Sequence, residues 1–431
     1  MSRDRRSSLL LRHRDFRLLW CSGLFDRFGA SVTGVAMPLL AVSTMDATAF
    51  QVGLLSAATW LPWLIIGLPA GVWVDRLPRR PIMVTAAAVC VVLFVGLPIA
   101  SYLGLLDYEL LLALALLTGA ATVFYQTAHG AYLPTLLDPE DLPEGNAKLH
   151  GGVSAAHIVG LGSGGLIVRL AGAVDGLVVN AASFAASLIC LTSIKHREPA
   201  APTRQEKPQA LHRELSEGYR LLFGDPWLRT LTLFGTAANL ALMSYQSIQV
   251  VFLVRTVGLN EGMVGGLLAA VGTGGIAGAF VARRLSDRIG TARAILFFQL
   301  VLPTVALLMP LTFSGPGILL FFTGSFCVAT GVTAGNVLRV SFEQRYLPAT
   351  IFGRVIASTS VLNFGSMPIG SVLGGSLGSA LGVRPAMWIT CAAIPCAALI
   401  LYFSPIRHSR DMPLAMSHGE EIESHESVLD T

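Results

Sequence analysis

The chain has 431 residues, of which 53% are hydrophobic and 13% charged, with a formal net charge of +4. A soluble domain carries about 25% charged residues, so this composition excludes a soluble globular protein and places the chain in lipid. The basic residues sit between apolar runs instead of gathering on one face, which excludes a nucleic-acid-binding surface.

The first seventeen residues hold Arg3, Arg5, Arg6, Arg12, Arg14 and Arg17. They are too charged to be the apolar core of a signal peptide. A helix needs about 20 apolar residues to cross the hydrocarbon core. Runs of that length predict spans near 18–43, 51–74, 81–103, 109–131, 148–169 and 174–194. A polar stretch over 195–226 follows, and then spans near 227–254, 261–282, 293–313, 316–338, 354–380 and 385–404.

The connections alternate in charge. One set holds the amino-terminal arginines, Arg76, Arg79 and Arg80, Lys148, the stretch from Lys195 to Arg229, Arg283, Arg284, Arg288 and Arg293, Arg339, Arg345 and Arg354, and Arg407 and Arg410. The other holds only Arg169, Arg255 and Arg384. Loops rich in arginine and lysine stay in the cytoplasm. Both termini are therefore expected there, which requires an even number of spans, in the plasma or inner cell membrane. The expected organisation is a basic amino terminus (1–17), a first six-helix bundle (18–194), a central loop (195–226), a second six-helix bundle (227–404) and a tail (405–431). Within the loop, Leu211, Leu215, Tyr219 and Leu222 share one face of an amphipathic helix, expected on the membrane surface or packed on the bundle. The tail after Arg407 is polar and acidic and is expected to be disordered.

One pattern occurs twice. Val52-Gly53-Leu54-Leu55 opens an apolar run that ends in Asp75, Arg76, Arg79 and Arg80, and Val264-Gly265-Gly266-Leu267 opens one that ends in Asp287, Arg288, Gly290 and Arg293. Two matching halves of membrane helices imply a two-bundle transporter with its substrate near the bilayer midplane.

Asp26 is the one carboxylate deep within a predicted span. It lies roughly 13 Å along the helix from Arg17, at about 1.5 Å per residue. A charge at that depth is expensive and marks a pathway or a pair. The readings open for it are coupling of transport to a proton gradient, a structural ion pair, or contact with a cationic substrate. Arg27 either binds an anionic substrate group, answers a carboxylate elsewhere, or snorkels to the interface. Tyr125, Gln126 and His129 on the fourth span, Asn239, Tyr245, Gln246 and Gln249 on the seventh, and Asn336 and Asn363 on the tenth and eleventh are candidates for the substrate cavity. Amides and aromatic rings suit loose recognition of a large amphipathic molecule, and each is also suited to an interhelical hydrogen bond. Gly160, Gly162, Gly164 and Gly165 on the fifth span and Pro368, Gly370, Gly374 and Gly375 on the eleventh form a candidate seam, where small residues let backbones approach.

The six cysteines all lie in apolar runs and none forms a CxxC pair, so neither a disulfide framework nor a metal site is supported. No enzyme motif is present. Gly272 to Gly278 is glycine-rich but lies inside a span with no strand before it, so it is no dinucleotide loop. No cofactor is expected; the partners are the lipid bilayer, protons and a small-molecule substrate, and the chain is expected to act as a monomer.

The segment Gly71 to Arg80 (Gly-Val-Trp-Val-Asp-Arg-Leu-Pro-Arg-Arg) resembles the G-x-x-x-D-R-x-G-R-R signature of the major facilitator superfamily, with Pro78 at the usual glycine. Asp287 to Gly290 is similar to its second-half echo. Glu214-Leu215, Glu217-Gly218, Asp225 to Arg229, Leu133-Pro134 through Asn146, and Gln344 to Val355 resemble the branch of enterobactin-type exporters and macrolide efflux pumps. The resemblance spans residues 12–405. It implies an all-α integral membrane protein of twelve helices in two pseudo-symmetric bundles, with the Asp75 loop as a conformational gate. It also implies proton-coupled antiport of an amphipathic antibiotic, drug or siderophore-like metabolite. Leu161 replaces the proline of the G-P-x-x-G-G run of family antiporters, a departure from that pattern. An importer or lipid-handling permease of the same superfamily, and a membrane sensor that does not transport, remain alternatives.

Overall fold

The computed structural model describes residues 9–171, 173–196, 198 and 209–413. Their apolar runs are helical because lipid offers no partner to backbone N–H and C=O groups, and a helix satisfies them internally. A short α1 (Leu9–Arg12) leads into α2 (Arg14–Ser43), α3 (Ala49–Arg76), α4 (Arg79–Tyr102), α5 (Tyr108–Leu136), α6 (Leu142–Ala171) and α7 (Ala173–Thr192). The helix α8 (Gln209–Gly224) lies in the central stretch. Then come α9 (Pro226–Val251), α10 (Glu261–Ile289), α11 (Thr291–Leu296), α12 (Ile318–Tyr346), α13 (Ala349–Leu381), α14 (Val383–Ala397) and α15 (Leu399–Tyr402). Among the described residues, nine helical stretches are long and apolar enough to cross a membrane, and Gly176–Thr192 is a shorter apolar helix.

Helix starts carry side chains that satisfy orphan amides. Thr48 and Gln51 form a reciprocal capping box at α3. Asp107 accepts from Leu110 N at 2.8 Å, and Asn260 from Met263 N at 2.9 Å.

Two sequence expectations change. The ninth span is one helical stretch, Thr291–Leu311, but its winding is not uniform. A π turn at Phe297–Val301 follows α11, and a 3₁₀ segment at Leu302–Leu311 follows that. Pro303 and Pro310 supply no N–H to an α-helical ladder, which favours the change of pitch. The segment after Arg407 is packed, not disordered, as far as it is described. Met412 is buried in the same cluster as Phe298, Phe342 and Leu401, together with Ile406 just before the tail, because this apolar residue interrupts an otherwise polar segment. Residues 414–431 lie outside the described part.

Two compact units divide the chain. The first comprises Met1–Arg204, Met243–Gly272 and Met367–Met387, the second Gln205–Leu242, Thr273–Ser366 and Trp388–Thr431. In the first, α2 packs on α6 and α7, α3 on α5, and α4 on α5 and α7. The same unit holds close backbone contacts between α3 and the second part of α13. A Cβ on Gly53 would lie 2.7 Å from Ser371 O and 2.8 Å from Gly375 Cα, and Phe50 N donates to Ser379 Oγ at 2.9 Å. Arg255 pairs with Asp46 at 2.6 Å nearby in sequence to these ends. In the second unit, α12 packs on α11 and the 3₁₀ segment. There α8 lies against α13, since a Cβ on Gly218 would meet Ser358 Oγ and the Arg354 carbonyl, and Arg354 pairs with Glu217 at 3.2 Å.

Candidate functional site

The loop between α3 and α4 carries the first signature. Gly71 faces open space, and Arg76 ends α3 exposed; the Asp75 side chain lies outside the described part. Arg79 N and Arg80 N, the first amides of α4, donate to the two carboxylate oxygens of Glu198 at 2.7 and 2.8 Å. A carboxylate at a helix N-terminus meets unpaired N–H groups and the positive end of the helix dipole. The Arg80 guanidinium donates to Leu191 O at 3.0 Å and Thr192 O at 2.6 Å, answering the last carbonyls of α7. His196 N donates to Asp15 Oδ2 at 2.8 Å. The Arg80 side chain is therefore committed, in this structure, to holding α4 and α7 together. At the neighbouring start of α6, Glu144 pairs with Lys148 at 2.8 Å. That contact, with the Leu9 amide, holds the Glu144 carboxyl below the usual carboxylate range.

The second signature has the same device in other residues. Asp287 and Arg288 end α10, with Arg283 3.9 Å from Asp287, and Arg293 lies in α11. Gly290 has φ 95°, and a Cβ there would lie 2.2 Å from Arg410 O, so glycine is required on both counts. Thr291 N, at the start of α11, donates to Asp411 Oδ1 at 2.9 Å, and Met412 N to Thr291 Oγ1 at 2.8 Å. Neither Glu198 nor Asp411 stands out in the sequence, where each is one acid in a polar stretch. The available signal is a carboxylate after the sixth span of each half, opposite the free amides of the third.

Asp26 is buried at 6% exposure. Among the described residues no hydrogen bond or ion pair reaches its carboxyl. The groups in its field are Arg27, Cys90 of α4 and Tyr125 of α5. Tyr125 is buried, its hydroxyl 3.3 Å from both Ser22 Oγ and Ser187 Oγ. His129 stacks on Tyr125 with 5.5 Å between ring centroids. Its Nε2 sits 3.2 Å from Leu19 O, in the notch left by Gly23. Tyr125 and His129 thus belong to the polar interior of the first unit with Asp26. Gln126 and Arg27 are half-buried beside them in sequence. His157 of α6 is exposed and places Nδ1 2.8 Å from Ser31 Oγ.

An apolar cavity of about 530 Å³ opens between α2, α6 and α7, walled by Trp20, Leu24, Phe28, Gly152, Ala156 and Val159 among others. Gly160 and Gly164 bring α6 onto α2, where a Cβ would meet Phe28 O at 2.8 Å and Val32 Cα at 3.3 Å. Gly162 and Gly165 lie between them on the same helix, their surroundings outside the described part. Pro368 and Gly370 sit in α13, where Gly370 O accepts from Ser244 Oγ at 2.8 Å. A Cβ on Gly374 would lie 2.1 Å from Ser244 O, and one on Gly375 2.8 Å from Ala49 O.

Of the other cavity candidates, Tyr245 is buried, Gln249 half-buried and Gln246 exposed in the first unit. In the second, Asn239 is half-buried and Asn336 exposed. Asn363 is buried and accepts from Thr236 Oγ1 at 3.3 Å, which ties α13 to α9. Arg339 pairs with the buried Glu343 at 3.0 Å.

Long apolar helices in two halves, each with a charged loop before its third helix, define a membrane transporter of the major facilitator class. A family model described as a transmembrane secretion effector matches residues 7–427, and the chain belongs to that family. It is 26% identical over 396 residues to a multidrug efflux pump, Tap, of Mycolicibacterium fortuitum, covering 89% of this chain and 94% of that protein. It is 24% identical over 377 residues to the enterobactin exporter EntS of Escherichia coli O1:K1 / APEC, covering 86% and 87%. Among solved structures, a bacterial homologue of the iron transporter ferroportin in an inward-facing state matches with TM-score 0.72 at 16% identity, over 92% of this chain and 99% of that one. The nucleoside transporter NupG matches with TM-score 0.71 at 11% identity, over 90% and 98%. The fold and the relatives are those of transporters and not of enzymes.

Proposed function

We propose that the chain is a secondary active exporter of amphipathic small molecules, driven by exchange for protons through alternating access. What carries this reading is its near full-length relation to two proteins named for export. Asp26 supports the proton part, since a buried carboxyl with no donor on it can change protonation state without breaking a contact. In the cycle, Asp26 takes a proton from the external side and releases it to the cytoplasm, while substrate leaves in the opposite direction. The Asp75 and Asp287 loops act as the cytoplasmic gate. The protein works in the cell membrane with both termini cytoplasmic, and as a monomer.

The test is accumulation of a panel of antibiotics, dyes and siderophores in an efflux-deficient bacterial host, with and without a protonophore. Exclusion of a compound by the wild-type chain, erased by the protonophore, is the expected result. Higher accumulation with the wild-type chain than without it would overturn export.

A further inference from the structure

Among the described residues of the first unit, Arg27 is a cation at membrane depth that the site described above leaves unexplained. It lies about 15 Å beyond Arg17 along α2, near the middle of a hydrocarbon core about 30 Å thick. A guanidinium cannot shed its charge, so leaving it unpaired at that depth is costly. Among the described residues no hydrogen bond or ion pair reaches its side chain, and it is half-buried. Snorkelling does not relieve it, because the nearer interface is about 15 Å away and the side chain is roughly half as long. Asp26 does not pair with it either. Successive helical residues point about 100° apart, and Asp26 turns into the interior with Cys90 and Tyr125 in its field.

A second group shares this corner. Ser31 Oγ lies 2.8 Å from Arg27 O and 2.8 Å from His157 Nδ1. A hydroxyl has one proton. With Ser31 giving it to the Arg27 carbonyl one turn back, the matching tautomer of His157 donates from Nδ1 to Ser31 Oγ. Neutral His157 then carries a bare Nε2, an acceptor, on an exposed residue next to an unanswered cation. Arg27 is also among the charges His157 experiences. The pair offers a fixed positive charge and a hydrogen-bond acceptor on adjoining turns of α2 and α6, linked through Ser31, where Gly160 packs on Phe28 and Ser31.

We infer that Arg27 and His157 form an anion subsite, and that the transported molecule is an amphipathic organic anion. Its carboxylate or equivalent acid group pairs with Arg27, and a hydroxyl or N–H adjoining that group donates to His157 Nε2. The depth of Arg27 excludes a lipid headgroup as the partner. The inference rests on the export reading only for the direction of movement, because binding is measurable without transport.

The experiment uses the purified full chain in detergent and three fluorescent probes with one body. N-dansylglycine carries a carboxylate, N-dansylglycinamide is neutral, and dansylated ethylenediamine is cationic. The wild type should bind the carboxylate about tenfold more tightly than the amide, the loss expected when a buried charge lacks its partner. Arg27→Gln should erase that preference, with a thermal midpoint within about 2 °C of the wild type as the control that the protein is folded. Arg27→Lys should keep most of the preference, and His157→Phe should reduce it by about two- to fivefold. Equal binding of carboxylate and amide by the wild type, no binding of the carboxylate, tighter binding of the amine, or an undiminished preference in Arg27→Gln would each overturn the subsite. If Arg27→Gln does not fold, loss of the preference in Arg27→Lys or its full retention in His157→Phe overturns it instead. Everted vesicles separate the two readings. Carboxylate binding without gradient-driven uptake defeats export and leaves the subsite standing. Proton-dependent uptake without carboxylate preference defeats the subsite alone.

Discussion

Buried carboxylates occupy both units, but in opposite company. In the second, Asp225 accepts from Trp227 N and Leu228 N at 2.9 Å and from Tyr346 Oη at 2.6 Å. Glu343 takes Arg339 at 3.0 Å. Both sit at the ends of helices, where donors are plentiful. In the first unit Asp26 is as buried as these two, in the middle of α2, with no donor on it. Burial alone therefore does not sort structural acids from working ones. The donors do: an acid surrounded by them holds helices in place, and one without them is free to exchange a proton.

The widest break in this comparison comes from neutralising each acid. Asp26→Asn should reduce gradient-driven transport by about tenfold or more while shifting the thermal midpoint by less than about 2 °C. Gradient-driven export at the wild-type rate would place Asp26 among the structural acids. Asp225→Ala should do the reverse. It strips a helix cap and a charged hydrogen bond, and should lower stability by about 2 kcal/mol, read as a lower midpoint in detergent. Transport per folded molecule should stay within about twofold. A drop in transport with no loss of stability would move Asp225 into the transport cycle.

The seam in the first unit sharpens the comparison in a different way. Gly53→Val places a branched side chain where even a Cβ would be 2.7 Å from Ser371 O. The contact of α3 with α13 cannot form around it, since backbone atoms do not yield as a flexible side chain does. Cysteine accessibility at Phe50 and Ser379 should rise, and transport should fall by about fivefold or more. Unchanged accessibility would show that the two helices part at this point anyway.

The helices were legible because hydrocarbon-length apolar runs and the alternation of basic loops are set by lipid and leave their mark on every span. Asp26 and Arg27 were legible for the same reason, as charges where charges are costly. Their surroundings were not. That Tyr125 binds Ser22 and Ser187, or that Ser31 orients His157, depends on which helix faces which, and periodicity does not fix that in a span with apolar residues all round. The π and 3₁₀ winding of the ninth span was hidden because Pro303 and Pro310 are common inside membrane helices. The packed Met412 was hidden because one apolar residue does not lift a polar segment above its average.

The smallest test concerns the two caps. Glu198 and Asp411 each follow the sixth helix of their half and reach the first amides of the third. Glu198 takes two amides at 2.7 and 2.8 Å on a half-buried segment, whereas Asp411 takes one, on a side chain 58% exposed. Water competes for the second more than for the first. Glu198→Gln should therefore cost about 1 kcal/mol and Asp411→Asn about 0.5 kcal/mol or less, measured as midpoints at one detergent concentration. Asn at 411 keeps the one oxygen its cap uses, so that replacement removes only charge against the helix dipole, whereas Gln at 198 keeps one of the two accepting oxygens and loses a hydrogen bond as well. Added salt should then shrink the Asp411 effect further and leave most of the Glu198 effect in place. Equal losses for the two would mean that the carboxylates act through the dipole alone, and that burial of the Glu198 loop against α4 and α7 contributes nothing to holding the signature arginines.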